Sequence, residues 1–209
     1  MWYSNLCEFS NRVQQEIDTS DTIIGNKNNY ADLLYPLLLT HLSGIKEKET
    51  IVIKTSVTGK RARHNEISPE LLEVILSICR TICPLNPIIL CDGPAYVKSY
   101  YKECIKLGWE YLLKKYDVTV VDLNYDNAEY IAFTWPVATT WLNAARRLNV
   151  SKAKTHKRFG VSLATKNLIG ILPGQHLGFP KLSNLHEHVP KLLLDLLKLD
   201  IEYLVLNNL

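Results

Sequence analysis

The chain has 209 residues, with 24 Lys and Arg against 21 Asp and Glu, for a formal net charge of +3. A hydrophobic content of 47% and a mean hydropathy of -0.03 describe a globular chain able to bury a core. A pI near 8.5 is too mild to demand a nucleic-acid partner, and the longest apolar runs, such as Leu192 to Leu199, are broken by charges and too short to span a bilayer.

Met1 to Arg12 lacks the basic-then-apolar order of a signal peptide, so a cytoplasmic protein is expected. Met1 to Ile17 carries a weak helical pattern, and Asp18 to Tyr30 is polar and loop-like. Tyr30 to Leu42 is apolar and helical despite Pro36. These pieces predict a helical extension over residues 1–49, packed on a core domain of residues 50–209.

Thr50 to Lys54 reads as a short buried strand. Ser68-Pro-Glu starts a helix, with Ser68 as N-cap and Pro69 at its first position, and Pro84 stops it. Pro87 to Cys91 is the next strand and runs into the turn Asp92-Gly93-Pro94. Tyr96 to Tyr116 is helical with a break at Gly108, and Val118 to Asp122 is a third strand. Strand, helix, strand, helix, strand with short joints predicts an α/β fold. It should be an open, mainly parallel sheet with helices on both faces, Rossmann-like and three-layered. Ligands of such sheets bind beyond the carboxyl ends of the strands, where Lys54, Asp92 and Asp122 fall.

Further on, Ile131 to Trp141 reads as a strand or hairpin and Arg146 to Val150 as another strand. Val161 to Ile169 reads as a helix capped by Gly170, His188 to Leu199 as an amphipathic helix, and Ile201 to Leu206 as a last strand.

Charge is unevenly spread. From Tyr130 through His186 there is no Asp or Glu, yet the stretch carries Arg146, Arg147, Lys152, Lys154, Lys157, Arg158, Lys166 and Lys181. An acid-free basic segment in a nearly neutral chain favours an anionic ligand, unless acids from elsewhere fold over it. Cations beside His156 favour its neutral form, able to act as a base or metal ligand. Lys166 sits at helical spacing from apolar Leu163 and Ile169. A half-buried lysine has a lowered pKa and can serve as nucleophile or Schiff-base former, or its stem can simply cover apolar surface. His156, His176 and His186, with Asp92 or Asp122, make a scattered metal alternative that lacks any His-x-x-x-His pair. The five cysteines form no C-x-x-C and read as buried thiols. Serine-nucleophile, phosphate-loop and dinucleotide fingerprints are absent.

Several pieces together resemble the family called domain of unknown function 362. They are Ile51-Val-Ile-Lys54, Ile67-Ser-Pro-Glu-Leu-Leu, Asp92-Gly-Pro-Ala95, Gly108 with Tyr111-Leu-Leu-Lys-Lys-Tyr116, and Val121-Asp-Leu-Asn124. The most specific is Lys154-Thr-His156 followed by Leu163-Ala-Thr-Lys-Asn-Leu-Ile-Gly170. The resemblance runs from about Thr50 to the end and implies an α/β domain whose core motif is the basic segment. Many members carry an attached iron–sulfur ferredoxin module, whose cysteines are missing here. The cofactor is thus unassigned and a bound metal stays open. Members usually close the last strand with Asp and continue into a Gly-rich segment. This chain ends at Asn207-Asn208-Leu209, so the resemblance implies a shortened member lacking that C-terminal segment, a fragment, or a degenerate member. An uncovered apolar patch at Leu204 to Leu209, open to another copy or a partner protein, is then expected.

These readings give candidate catalytic residues Lys154, His156, Lys166 and Asp92, and candidate ligand-binding residues Lys54, Thr155, Asn167, Gly93 and His186. The first functional reading is an enzyme, an oxidoreductase or isomerase, acting on a small anionic substrate or anionic cofactor by redox or proton-transfer chemistry. The second is a non-catalytic module for an anionic ligand or cofactor, and the third, nucleic-acid binding, has no motif behind it.

Overall fold

The computed structural model describes residues 30–58, 66–131, 134–156, 159–178, 181, 185–199 and 201–208. The helical pattern over Met1 to Ile17 lies outside them. Short runs rich in β-branched residues make the strands. They are β1 (Ile51–Lys54), β2 (Ile88–Asp92), β3 (Val118–Asp122), the hairpin of β4 (Ala128–Ile131) and β5 (Trp135–Ala138), β6 (Arg146–Lys152), the hairpin of β7 (Lys154–His156) and β8 (Gly160–Ser162), and β9 (Leu204–Asn208). The helices are α1 (Tyr30–Leu42), α2 (Pro69–Ile82), α3 (Tyr100–Lys106), α4 (Glu110–Lys115), α5 (Thr139–Leu142), α6 (Ala164–Asn167), α7 (Gly174–Leu177) and α8 (Leu185–Leu197).

Five strands form one parallel sheet in the order β3-β2-β1-β6-β9. Alternation along the strands feeds two cores. Ile51, Ile53, Leu148, Val150 and Leu206 enter one, with Leu38 of α1, Leu72 and Ile75 of α2, Tyr100 of α3 and Leu112 of α4. Val52 and Cys91 enter the other, with Trp135 of β5, Trp141 of α5 and Leu192 and Leu196 of α8. Helices therefore cover both faces, which makes the three-layer α/β fold that the strand–helix alternation predicts. No helix among the described residues is long and apolar enough to cross a membrane.

Ser68 caps α2 by accepting the Leu71 N–H at 3.2 Å, and Pro69 begins the helix. The helical reading of Tyr96 to Tyr116 narrows to α3 and α4, separated at Gly108, whose φ of 78° no helix tolerates. A larger difference concerns Val161 to Ile169. Gly160, at φ 73°, reverses the chain so that Gly160–Ser162 pair back onto Lys154–His156. β-branched Val161 suits that pairing. Helix survives only over Ala164–Asn167, followed by a 3-10 turn over Leu168–Ile171. Gly170 sits inside that turn and is not a left-handed cap.

β9 is the sheet edge. Of the apolar side chains described there, Leu206 is buried, Leu204 half-buried and Val205 exposed. Lys54, Asp92 and Asp122 share one edge of the sheet, since Lys54 pairs in register with Cys91 and Asp92 with Asp122. Asp122 has a bracing task there. It accepts the Tyr100 N–H at 2.8 Å and the Asn124 N–H at 3.0 Å, tying α3 to the end of β3. Burial pushes its carboxyl up. Asp122→Ala is expected to lower stability by about 1–3 kcal/mol, read from the urea midpoint, because two backbone donors lose their acceptor.

Candidate functional site

The chain leaves β1 toward β2 and β3 on one side and returns to β6 on the other. The gap beyond β1 and β6 is therefore the topological switch point of the sheet, where open α/β folds bind ligands. Lys54 ends β1 with its side chain fully buried. Its Nζ donates to Thr55 O at 2.7 Å, Asp92 Oδ1 at 2.8 Å and Asn167 Oδ1 at 3.1 Å, using all three protons. Asp92 Oδ1 also accepts the Gly93 N–H, and Oδ2 accepts the Val57 N–H at 2.6 Å. Asn167, from the short α6, closes the gap. Its Nδ2 donates to Thr55 O beyond β1 and to Asn149 Oδ1 and Val150 O on β6.

Two glycines make room for this network. A β-carbon on Gly170 would collide with Asp92 Oδ1 and lie 2.6 Å from Lys54 Cε and Nζ. One on Gly93 would lie 2.5 Å from Gly170 O and 2.7 Å from Lys181 Nζ. Lys181 is buried and donates to Gly93 O at 2.6 Å. No carboxylate lies within ion-pair distance of it among the described residues, and burial holds its pKa down at about 7.

Above this floor opens a cavity of about 350 Å³. The structure brings Lys54, Asp92, Gly93, Lys154, Thr155, His156, Lys166 and Asn167 together in its wall, along with Ser56, Gly170 and Lys181. Lys154 is half-buried and donates to Ser56 Oγ at 2.9 Å. Burial lowers its pKa, opposed by the charges of Glu66 and Asp92. Lys166 is half-buried and makes no hydrogen bond or ion pair among the described residues. Burial lowers its pKa, and the charge of Lys154 lowers it further. His156 accepts the Phe159 N–H on Nδ1 at 3.3 Å and stacks on the Phe159 ring. A neutral ring in that pose carries its proton on Nε2.

The family model described as Domain of unknown function (DUF362) matches residues 51–206. The chain belongs to this family. Among curated proteins, none matches it.

Not all of the basic segment of this DUF362 chain serves the cavity. Arg146 donates to His41 O and Ser43 O, and Arg147 to Trp141 O and Leu142 O, at the far, amino end of β6. His176 is exposed, faces Tyr130 and is absent from the cavity wall, so it does not join His156. The side chain of His186 lies outside the described ones. No three His, Cys, Asp or Glu side chains among the described residues are placed to hold a metal ion. Four buried cysteines are free thiols; burial pushes Cys79 and Cys104 up to about 12, which leaves them inert.

The sequence reading missed Gly170 as a packing residue, Lys181 as a site lysine, and Glu66. Glu66 is buried and accepts from Thr58 N and Oγ1, and its charge acts on Lys154. The acid facing the basic segment thus comes from before α2, far away in sequence.

Gly170→Ala is expected to lower stability by about 1–3 kcal/mol in urea unfolding, since a methyl group must displace a buried ion pair. Lys181 yields a pH dependence. Its folded pKa is depressed to about 7 from 10.5, so between those values the unfolded chain binds the extra proton and stability rises with pH. Urea midpoints at the two ends of that window should rise less in Lys181→Met than in the wild type.

Proposed function

We propose that the cavity at the carboxyl ends of β1 and β6 binds a small anion, either a substrate or the anionic group of a cofactor, and that proton transfer is the chemistry done on it. One observation carries this reading. Lys154 and Lys166 are both half-buried in the wall of one cavity, the charge of Lys154 acts on Lys166, and among the described residues Lys166 meets no acid. A recessed lysine kept from water and from counter-charge, with a second lysine in the same wall, is compensated best by a negative ligand. A volume of about 350 Å³ suits a compound of small-metabolite size. Lysines recessed in a cavity, with Arg146 and Arg147 tied to backbone carbonyls elsewhere, also speak against a nucleic-acid surface.

The proposal divides the candidate residues by task. Lys54, Asp92, Gly93 and Asn167 are positioning residues, since their polar groups already satisfy one another. Lys154, Thr155, Lys166 and His156 face the ligand, and Lys166 and His156 carry the proton transfers. A second reading, a binding module without catalysis, is favoured by one fact. Both oxygens of Asp92 are engaged, so the Asp92 carboxylate does not serve the cavity as a ready base.

Calorimetric titration with inorganic phosphate and with oxalate tests the proposal. Binding is expected to weaken with salt, and to take up protons from the buffer, because an anion raises the lowered pKa values of Lys154 and Lys166. Lys166→Gln should weaken it about 10-fold or more, the loss of one charge-assisted hydrogen bond. Absence of binding at low salt, or unchanged affinity in Lys166→Gln, would make the cavity a structural feature only.

A further inference from the structure

We propose that Lys166 is a covalent nucleophile, forming an imine with a small 2-oxo acid whose carboxylate is held by Lys154. The inference rests on the anion-binding reading above and goes one step further, to the class of compound and the bond it makes.

Four lysines line the cavity, and their surroundings separate them. An amine attacks a carbonyl only with a free lone pair, so it must be neutral and uncommitted. Lys54 is excluded because all three of its protons are held and its partner is Asp92. Lys181 is anchored on Gly93 O, and its side chain is buried. Lys154 donates to Ser56 Oγ, and although burial lowers its pKa as it does that of Lys166, the charges of Glu66 and Asp92 oppose that shift and favour its ammonium form. That makes it an anion holder. Lys166 alone of the four makes no hydrogen bond or ion pair among the described residues. It also has the neighbour a reactive lysine needs: burial and the positive charge of Lys154 both favour its neutral amine.

The pair selects a ligand whose negative group and electrophilic carbon are adjacent. A 2-oxo acid has its carboxylate one bond from the ketone carbon, so one small molecule engages both side chains. Neutral Lys166 adds through its Nζ to that carbon, and the former carbonyl oxygen takes a proton to give a carbinolamine. That oxygen then leaves as water after a second proton arrives, the nitrogen gives up both of its protons over the two stages, and a C=N bond remains. Amine plus ketone gives imine plus water, with no change of oxidation state. His156 lies in the same wall, and its imidazole is the neighbouring group suited to passing these protons. Once protonated, the imine withdraws electrons from the bonds beside it. It thereby labilises a proton on the neighbouring carbon, which is the proton-transfer chemistry proposed for the site.

Borohydride trapping tests the step. The full chain is incubated separately with glyoxylate and with pyruvate, reduced, weighed intact and mapped by peptide mass. The expected result is one adduct on Lys166, heavier than the unmodified chain by the oxo acid less one oxygen. It should be lost in Lys166→Arg, suppressed by excess oxalate, and formed faster as pH rises through a value below that of an ordinary lysine. An adduct scattered over exposed lysines, or mapped to Lys154 or Lys181, overturns the proposal without recourse to any variant. Calorimetric binding of pyruvate or oxalate with no adduct from either oxo acid also overturns it, and leaves the anion-binding reading standing. If neither phosphate nor any of these acids binds, both fall.

Discussion

Lys54 ends the central strand with its ammonium group sealed from water, and the rest of the site follows from that constraint. A buried cation must find a full set of acceptors. Lys54 finds them in three separate segments: the strand's own next carbonyl, the end of β2, and α6. Removing one partner of such a pair costs about 3–5 kcal/mol. The three segments are thereby locked in mutual position. The glycines at 93 and 170 are a further consequence, because the network fills the space that a side chain would need.

The same residue type does different work by position. Lys54 is matched by Asp92, Lys154 by a hydroxyl and the field of Glu66, Lys181 by a backbone carbonyl, and Lys166 by nothing polar among the described residues. Among the described residues, counter-charge is thus matched most closely at Lys54 and least at Lys166. A chain of near-neutral total charge can hold such a gradient because its acids and bases are segregated along the sequence.

Much of this arrangement can be read from the sequence, for definite reasons. Strand runs closed by Lys54, Asp92 and Asp122 put those residues at one sheet edge, because parallel strands joined by short crossovers have their carboxyl ends together. The Lys-Thr-His and Lys-Asn pieces fall in the same cavity because β6 ends just before them. Other features depend on tertiary contacts that leave no periodic trace. Val161 reads as helical because apolar spacing alone does not register the reversal at Gly160. Gly170 reads as a cap when its real role is to let a carboxylate approach. Lys181 sits among turn residues with nothing to mark it as buried. The basic run also divides in space between Arg146 and Arg147 at one end of β6 and the lysines beyond its other end, a separation set by strand direction alone.

The place of Asn167 in this sheet bears on how the molecule assembles. β1 reaches β2 through a single helical crossover, but it reaches β6 only after β2, β3 and a hairpin have gone by in the chain. Contacts between segments so distant in sequence cost more loop entropy and form more slowly than local ones. The Asn167 amide that accepts from Lys54, and the Asn149 amide that holds it, belong to this sequence-distant half. Until it docks, the ion pair stays hydrated. Drying the ion pair is therefore expected to accompany the docking of that half, and rehydrating it to accompany its release. A polar seam that must take up water before it parts is expected to open slowly, and so to act on the lifetime of the native state as well as on its free energy.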